Sequence, residues 1–458
     1  MLWNSYEISE ALGISLPDDI GYTGISIDSR TIKPGDIFVA IKGGKQDGHE
    51  YVADAFSKGA KLAIVSTPTD GNTILVNNTL EALENIAAAA RDRFDGKVIA
   101  ITGSVGKTST KTAVGMVLTD QGTTYVSPGG FNNQWGVPLS VANLPRNFDY
   151  GVFEVGMNHT GEIDHLTKFI KPDIAVITNV ENVHIANFDH IEQIADAKAE
   201  IYNHVDNNCI AVLNNEHKFY NYLYKAATSK GLHRFVTFGS TPQSTVQLLN
   251  WEQLSNGLNV VVAIHHERYE FNLKAFGRHW VINGLGVIAV AHAAGINITK
   301  ACESLSNFKL LPGRGDMLNI DTPNGALTII DESYNSSPIA IESALTNLSI
   351  FPGRKIAVLG DMLELGESAE SEHLRLKNLI KSNGIDLVFT SGPLMKKLYD
   401  ALPEDLRGAH NDDPASLGNE LFKHVKDGDH ILIKGSRGNY GPRGRMHNTL
   451  ENLIKLSK

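Results

Sequence analysis

Residues 101–109 read ITGSVGKTS, a glycine turn that ends in a lysine and two hydroxyl residues. The pattern Gly103-x-x-Gly106-Lys107-Thr108 is shorter than the usual phosphate loop, G-x-x-x-x-G-K-[ST], whose first glycine would fall on Ile101. The physics survives the shortening. Glycines allow backbone N–H groups along Gly103, Ser104, Val105, Gly106, Lys107, Thr108 and Ser109 to turn inward as an anion nest. A helix that follows points its positive end at the same anion. Lys107 would neutralise the outer phosphates of a nucleotide, and Thr108 offers a hydroxyl to Mg²⁺. The bland alternative is a strand, a turn and a helix with an exposed lysine. The apolar run KVIAITG before the turn and the helical pattern KTSTKTAVGMVLTDQG after it favour phosphate binding.

Three further residues have chemistry compatible with a metal. Glu154 closes the strand pattern YGVFEVG, and His184 follows the strand pattern DIAVITNV. Both fall at carboxyl ends of expected parallel strands, where α/β sites gather. A carboxylate is a natural Mg²⁺ ligand, and an imidazole is an unusual one. Taken alone, Glu154 reads as a strand cap and His184 as a surface loop residue. Lys198, in ADAKAEI, reads by itself as a solvated helix lysine.

The elements that must position these residues follow from periodicity. Residues 1–77 carry short strands and turns, with KPGD before the apolar run IFVAI. NTLEALENIAAAARDRF puts Leu80, Leu83, Ala87, Ala90 and Phe94 at helical spacing, with Asn78 and Glu81 as a capping box. A central segment, 78–312, mixes strands and helices and reads as a sheet flanked by helices. Within it, residues 231–275 read as an antiparallel excursion. LPGRG at 311–315 reads as a hinge. Beyond it, 313–458 alternates ALTIID, a helix after Pro338, KIAVLGD, a helix, DLVFTSG, a helix and HILIKGS, the signature of a doubly wound parallel sheet.

Composition bounds the partners. The 458 residues carry a net charge of -10, which argues against a nucleic-acid or membrane-surface binder with a broad basic face. Two cysteines, Cys209 and Cys302, cannot build a disulfide framework, so a reducing cytoplasm is expected. MLWNSYEISEALGI lacks the pattern of an export signal, and no apolar stretch is long enough to span a membrane. No heptad seam or interface stripe is visible, so a monomer is expected.

Together these pieces resemble the Mur ligase family, the ATP-dependent amide-forming ligases of peptidoglycan assembly, over nearly the whole chain. TGSVGKTST is similar to the family's phosphate loop, which also lacks the early glycine. FNNQWGVPLSVANL, EVGMNHTGEIDHL, ITNVENVHIANF, AKAEI, GRHWVINGLGVIAVA, LPGRG, DESYNSSP and IKGSRG resemble further family stretches in order. DSR…KPGDIFVAIKG…DGHEY resembles a UDP-binding domain. The resemblance implies three α/β domains: a small N-terminal UDP-binding domain, a central ATPase-like domain with a mostly parallel sheet, and a C-terminal Rossmann-like domain. Two departures stand out: Trp280 follows His279 where the family pattern carries asparagine, and Ser336-Ser337 replace Ala-Asn before Pro338.

The resemblance also implies roles. ATP and Mg²⁺ would be used, with Lys107, Glu154, His184 and Lys198 catalytic and Asn283, Arg314 and Asp331 on the nucleotide. A metal would sit on Thr108, Glu154, His184 and a carbamylated Lys198. Ser29, Arg30 and the turn Gln46, Asp47, Gly48, His49 are candidates for the UDP end, with Asn132 and Asn133 also on the substrate. EVGMNHTGEI, DESYNSSP and LGDMLELG are most similar to stretches of members that take D-alanyl-D-alanine as the amine and a UDP-N-acetylmuramoyl-tripeptide as the acid. Tyr334 and Asn335 are then candidates for the dipeptide pocket. Two other readings stay open: a family ligase that adds a different amino acid, and a phosphate-loop regulator that switches a partner.

Overall fold

Runs of aliphatic residues become strands that are buried on both faces, and amphipathic segments become the helices that cover them. The computed structural model describes residues 1–457 except 17–18, 45, 183–186, 255 and 439–444. His184 therefore lies outside the described residues. The chain forms two compact units, one of residues 1–180, 195–247 and 286–301, the other of 181–194, 248–285 and 302–458.

In the first unit, strands Ile25–Ser26, Ile37–Val39, Leu62–Val65 and Thr73–Leu75 form a small parallel sheet in chain order. Phe38, Ala40, Val52, Ala55, Ala63 and Val65 form its core. Helix Thr79–Asp92 follows, and Asn78 caps it by accepting from the N–H groups of Leu80 and Glu81. Its buried face is Ala82, Leu83, Ile86, Ala87 and Ala90. Leu80, expected on that face, is only half-buried, and Ile86 takes the place.

A parallel sheet fills the rest of the unit, in the order Thr124–Val126, Tyr150–Glu154, Lys97–Thr102, Ile174–Ile177, Ile210–Asn214, Arg234–Gly239. The start of strand Val246–Leu254 adds to it in parallel, through Val246 and Gln247. The chain leaves Lys97–Thr102, builds one side of the sheet, and then crosses to Ile174–Ile177 on the other. That reversal opens a crevice at the carboxyl end of Lys97–Thr102, where ligands of open α/β sheets bind. Arg234–Gly239 is thus parallel, not part of an antiparallel excursion. Its aliphatic run is buried among parallel neighbours, and periodicity cannot distinguish the two settings. Antiparallel pairing is found in the second unit, between Gly257–Ile264 and Glu267–Leu273.

The C-terminal sheet has the order Asp316–Thr322, Gly325–Glu332, Asp429–Lys434, Lys355–Gly360, Leu387–Ser391, Arg407–His410. All pairs are parallel except the first. Alternation sends Ala357, Leu359 and Leu432 into one core with helices Pro338–Ser349, Ala369–Ser382 and Pro393–Ala401. It sends Ile356, Val358, Ile431 and Ile433 into another with helices Pro414–His424 and His447–Leu456. Among the described residues no helix is long and apolar enough to cross a membrane.

Only the Asn78 half of the expected capping box at helix Thr79–Asp92 forms. Asn78→Ala is therefore expected to lower stability by about 1 kcal/mol. Glu81→Ala should stay within about 0.5 kcal/mol of the parent. Urea unfolding of both variants checks this, and an equal loss from each would show that Glu81 closes the box.

Candidate active site

The phosphate loop leaves the sheet at Thr102 and enters helix Lys107–Thr119 at Lys107. Gly103 has φ 149 and Gly106 has φ 82, so both lie where a Cβ is disfavoured. At Gly103 space is closed as well, because a Cβ there would come within 1.9 Å of Thr178 Oγ1. The first N–H groups of the helix have no intrahelical acceptor, and the helix dipole adds positive potential at the same end. Lys107 Nζ lies inside this loop, donating to the carbonyls of Gly103 at 2.7 Å and Ser104 at 3.3 Å.

Not every amide expected in the nest is available. Ser104 N–H donates to the Asn179 carbonyl at 3.1 Å, and Val105 N–H donates to Asn179 Oδ1 at 2.9 Å. The amides of Gly106, Lys107, Thr108 and Ser109 stand at the helix start, where an anion would bind.

The neighbouring strand Tyr150–Glu154 pairs Glu154 with Ile101, which puts this carboxylate at the same sheet edge. Glu154 is buried, and its Oε1 accepts from Asn132 Nδ2 at 2.8 Å. Its Oε2 is buried without a hydrogen-bond partner and lies 3.7 Å from Lys111 Nζ. Lys111, one turn beyond the loop on the same helix, is itself buried and donates to the carbonyls of Ser127 at 2.8 Å and Gly129 at 3.1 Å. Sequence reading missed Lys111, which carries no motif signal; only its burial next to Glu154 identifies it. Asn133 has a local task, its Oδ1 accepting from the N–H groups of Trp135 and Gly136 at the start of helix Gly136–Ala142. An orphaned carboxylate oxygen beside a phosphate nest fits a divalent cation, with the Thr108 hydroxyl in the first turn as a further oxygen ligand.

Lys198 overturns the reading of a solvated helix lysine. It is 2% exposed, at the end of helix Ile191–Ala199. Burial, and then the positive charge of Lys107, drives its ammonium well below the ordinary lysine range. Desolvation disfavours the charged form, so the neutral amine gains.

The N-terminal candidates are committed to local bonds. Arg30 is exposed and holds Asp28 through both Nε and a terminal nitrogen. Ser29 is buried. Gly48 N–H donates to the Ile41 carbonyl, and Gly43 N–H to the Gln46 carbonyl, closing the turn. His49 Nε2 accepts from the Ser66 amide at 2.9 Å, so the ring hydrogen is on Nδ1, which meets Asp47 Oδ1 at 2.5 Å. Neither ring nitrogen is left for a substrate.

In the second unit, Asp331 ties the LPGRG turn to its sheet. Its Oδ2 accepts from Gly313 N–H at 3.0 Å and its Oδ1 from Ser333 N–H at 3.1 Å. Arg314 stacks over the Tyr334 ring at 3.9 Å, and Arg437 donates to the Tyr334 hydroxyl at 3.2 Å. The Asn335 carbonyl accepts from Lys434 Nζ at 3.2 Å. Burial pushes the neighbouring Glu332 carboxyl up, but Lys434 and His279 outweigh it and leave the pKa below the usual value. Trp280 is buried and packs behind Gly315, whose Cβ would lie 3.3 Å from its ring nitrogen. Ser337 precedes Pro338 at the head of helix Pro338–Ser349, with a buried, unbonded hydroxyl. Asn283 is half-buried in helix Arg278–Ala294.

Comparison with known proteins agrees with this architecture. Residues 21–93 match the Mur ligase family catalytic domain, 101–291 the Mur ligase middle domain, and 313–437 the Mur ligase glutamate ligase domain. The chain is 34% identical to the UDP-N-acetylmuramoyl-tripeptide–D-alanyl-D-alanine ligase of Rickettsia prowazekii, over 96% of this chain and 98% of that one. It is 32% identical to the ligase of the same name from Bacillus subtilis, over 91% and 90%. Among solved structures, MurF of Acinetobacter baumannii superposes with a TM-score of 0.86 at 28% identity, covering 99% of both chains. MurF ligase of Thermotoga maritima in complex with ADP gives a TM-score of 0.81 at 28% identity, covering 94% and 97%. With three family domains matched in order and a relative aligned over almost its entire length, this chain belongs to the Mur ligase family.

Proposed function

We propose that this chain joins D-alanyl-D-alanine to the terminal carboxylate of UDP-N-acetylmuramoyl-tripeptide, with cleavage of ATP to ADP and phosphate, in peptidoglycan precursor synthesis. One observation carries the reading: the phosphate loop with Lys107 inside it shares a sheet edge with Glu154, in a chain that matches such ligases over nearly its whole length. We assign residues 1–77 to the UDP-substrate domain, 78–312 to the ATP domain and 313–458 to the Rossmann-like domain. The enzyme works in the cytoplasm as a monomer, with no nucleic-acid partner.

A carboxylate and an amine do not condense in water, so the acid must be activated. A carboxylate oxygen attacks the γ-phosphorus, ADP leaves, and an acyl phosphate forms. The amine then attacks the acyl carbon and phosphate leaves. The first step drives an anion toward a polyanion, so catalysis rests on positioning and fixed positive charge. The amides at the helix start and the Lys107 ammonium, once it turns from the Gly103 and Ser104 carbonyls, supply that charge. Asn132 holds Glu154 by one oxygen and leaves the other open. A divalent cation would supply further positive charge against the repulsion of the first step. Glu154, Thr108, His184 and carbamylated Lys198 would hold it. The buried Lys198 amine suits that modification, since only a neutral amine attacks CO₂, and the product turns a repelling cation into an anion. Arg314 and Asp331 belong to the nucleotide site, Asn283 to its base, and Tyr334 and Asn335 to the dipeptide pocket. The local bonds of Arg30 and His49 and the burial of Ser29 leave the Gln46 side chain as the better contact for UDP.

Incubation with ATP, Mg²⁺, UDP-N-acetylmuramoyl-tripeptide and D-alanyl-D-alanine is expected to give the pentapeptide product by mass spectrometry. Lys107→Ala should reduce its rate at least about a hundredfold with the fold retained by circular dichroism. A wild-type rate from Lys107→Ala, or product only with single amino acids, contradicts the assignment.

Carbon-13 bicarbonate is expected to give a carbamate resonance in the wild-type protein that is missing in Lys198→Arg. The pKa of Lys198 is lowered, so the amine stays neutral to lower pH than an exposed lysine. The resonance should fade as pH falls through that lowered value and the amine takes up a proton. A signal of equal strength in Lys198→Arg removes Lys198 from the metal site.

A further inference from the structure

The phosphate loop is held from outside itself, by the end of the next strand. Thr178 and Asn179 follow strand Ile174–Ile177, which pairs with Lys97–Thr102 through Ile177 and Thr102. Four hydrogen bonds run between these two residues and two residues of the loop. Asn179 Oδ1 accepts from Val105 N–H at 2.9 Å, and Asn179 Nδ2 donates to the Val105 carbonyl at 3.1 Å. The same carbonyl accepts from Thr178 Oγ1 at 2.8 Å, and the Asn179 carbonyl accepts from Ser104 N–H at 3.1 Å.

Both polar groups of Val105 are thereby turned onto Asn179. A side-chain amide is suited to this, because its oxygen and nitrogen supply an acceptor and two donors on one short planar group. A carboxylate lacks the donor, an apolar side chain lacks both, and a hydroxyl carries donor and acceptor on a single atom that cannot span the two groups. Thr178, buried beneath the loop, completes the hold and also fills the space that Gly103 leaves open. With the Ser104 and Val105 amides tied down, the turn can aim only the amides from Gly106 onward at an anion. Fixing them in advance removes an ordering cost from nucleotide binding.

We propose that Asn179, assisted by Thr178, is a positioning residue that sets the orientation of the nucleotide loop and thereby the affinity for ATP. This rests on the reading of residues 103–109 as the nucleotide loop. Asn179 makes no hydrogen bond to the described residues of the turn at 46–49, so an effect confined to nucleotide is expected.

The test uses the full chain with Mg²⁺, a fluorescent ATP analogue titrated for Kd, and steady-state KM and kcat. Asn179→Ala loses two hydrogen bonds to Val105, and its Kd and KM for nucleotide should rise about tenfold or more. The KM for UDP-N-acetylmuramoyl-tripeptide should remain within about twofold, and kcat at saturating ATP should fall less than KM rises. Asn179→Asp keeps the acceptor, loses the donor and adds negative charge near the phosphates, so it should bind nucleotide no better than Asn179→Ala. A loss spread equally over both substrates would mark a structural role and overturn the proposal, as would nucleotide binding unchanged in Asn179→Ala. Should Asn179→Ala fail to fold, Thr178→Val and Thr178→Ser decide. A weaker ATP affinity in the first, restored in the second, supports the clamp, and no change in the first rejects it. Lys107→Ala keeps the two failures apart. If it weakens ATP binding while Asn179→Ala does not, the clamp is wrong and the loop stands; if it too binds ATP normally, the loop reading itself is wrong.

Discussion

A lysine and a glutamate buried together behind the phosphate loop set the terms for the rest of the site. Lys111 and Glu154 are each 2% exposed. Withdrawing both from water costs several kcal/mol per ion, and only good partners offset it. Lys111 finds two carbonyls and a carboxylate, and Glu154 finds Asn132. Loss of either partner would leave a bare charge in the interior, a penalty of about 3–5 kcal/mol. The pair therefore binds three pieces of chain to one another: the helix that starts at the loop, the segment from Ser127 to Asn133, and the end of strand Tyr150–Glu154. One carboxylate oxygen stays free of hydrogen bonds, and it is the oxygen on which the proposed cation would sit. The same charges would then serve both stability and function.

Lys198 extends the pattern. Its amine is buried within the field of Lys107, and desolvation and that charge together favour the neutral form. The carbamylation proposed above needs that neutral form, which an exposed lysine rarely offers. In the second unit, Asp331 spends both carboxylate oxygens on backbone amides and so fixes the glycine turn that carries Arg314. Tyr334 has Arg314 on its ring and Arg437 on its hydroxyl, which makes it a holder of guanidinium groups.

Contiguous features were legible in the sequence. Gly103, Gly106 and Lys107 announce a phosphate loop because the motif needs no distant partner, and the alternation after LPGRG announces a doubly wound sheet. Features set by tertiary contact were not. Nothing in ADAKAEI says that Lys198 faces inward, since helical periodicity with alanines on several faces marks no unique buried side. Lys111 and Asn179 depend on groups brought near by the sheet, not by the chain. Strand Asp316–Thr322 was passed over because an edge strand, half-exposed and antiparallel, lacks the apolar run of its parallel neighbours. At the N-terminus, Arg30 and His49 have residue types that suit a phosphate or a base. Asp28, Asp47 and the Ser66 amide claim them first. Family resemblance supplied what local pattern could not, above all the proposal that Lys198 is carbamylated and holds a metal.

The most direct measurement is a crystal structure of the full chain with a non-hydrolysable ATP analogue and Mn²⁺, the cation located by anomalous scattering. The account predicts the terminal phosphate against the amides from Gly106 to Ser109 and Lys107 Nζ, with Mn²⁺ on Glu154. Triphosphate bound away from this helix start, or Mn²⁺ remote from Glu154, would contradict it.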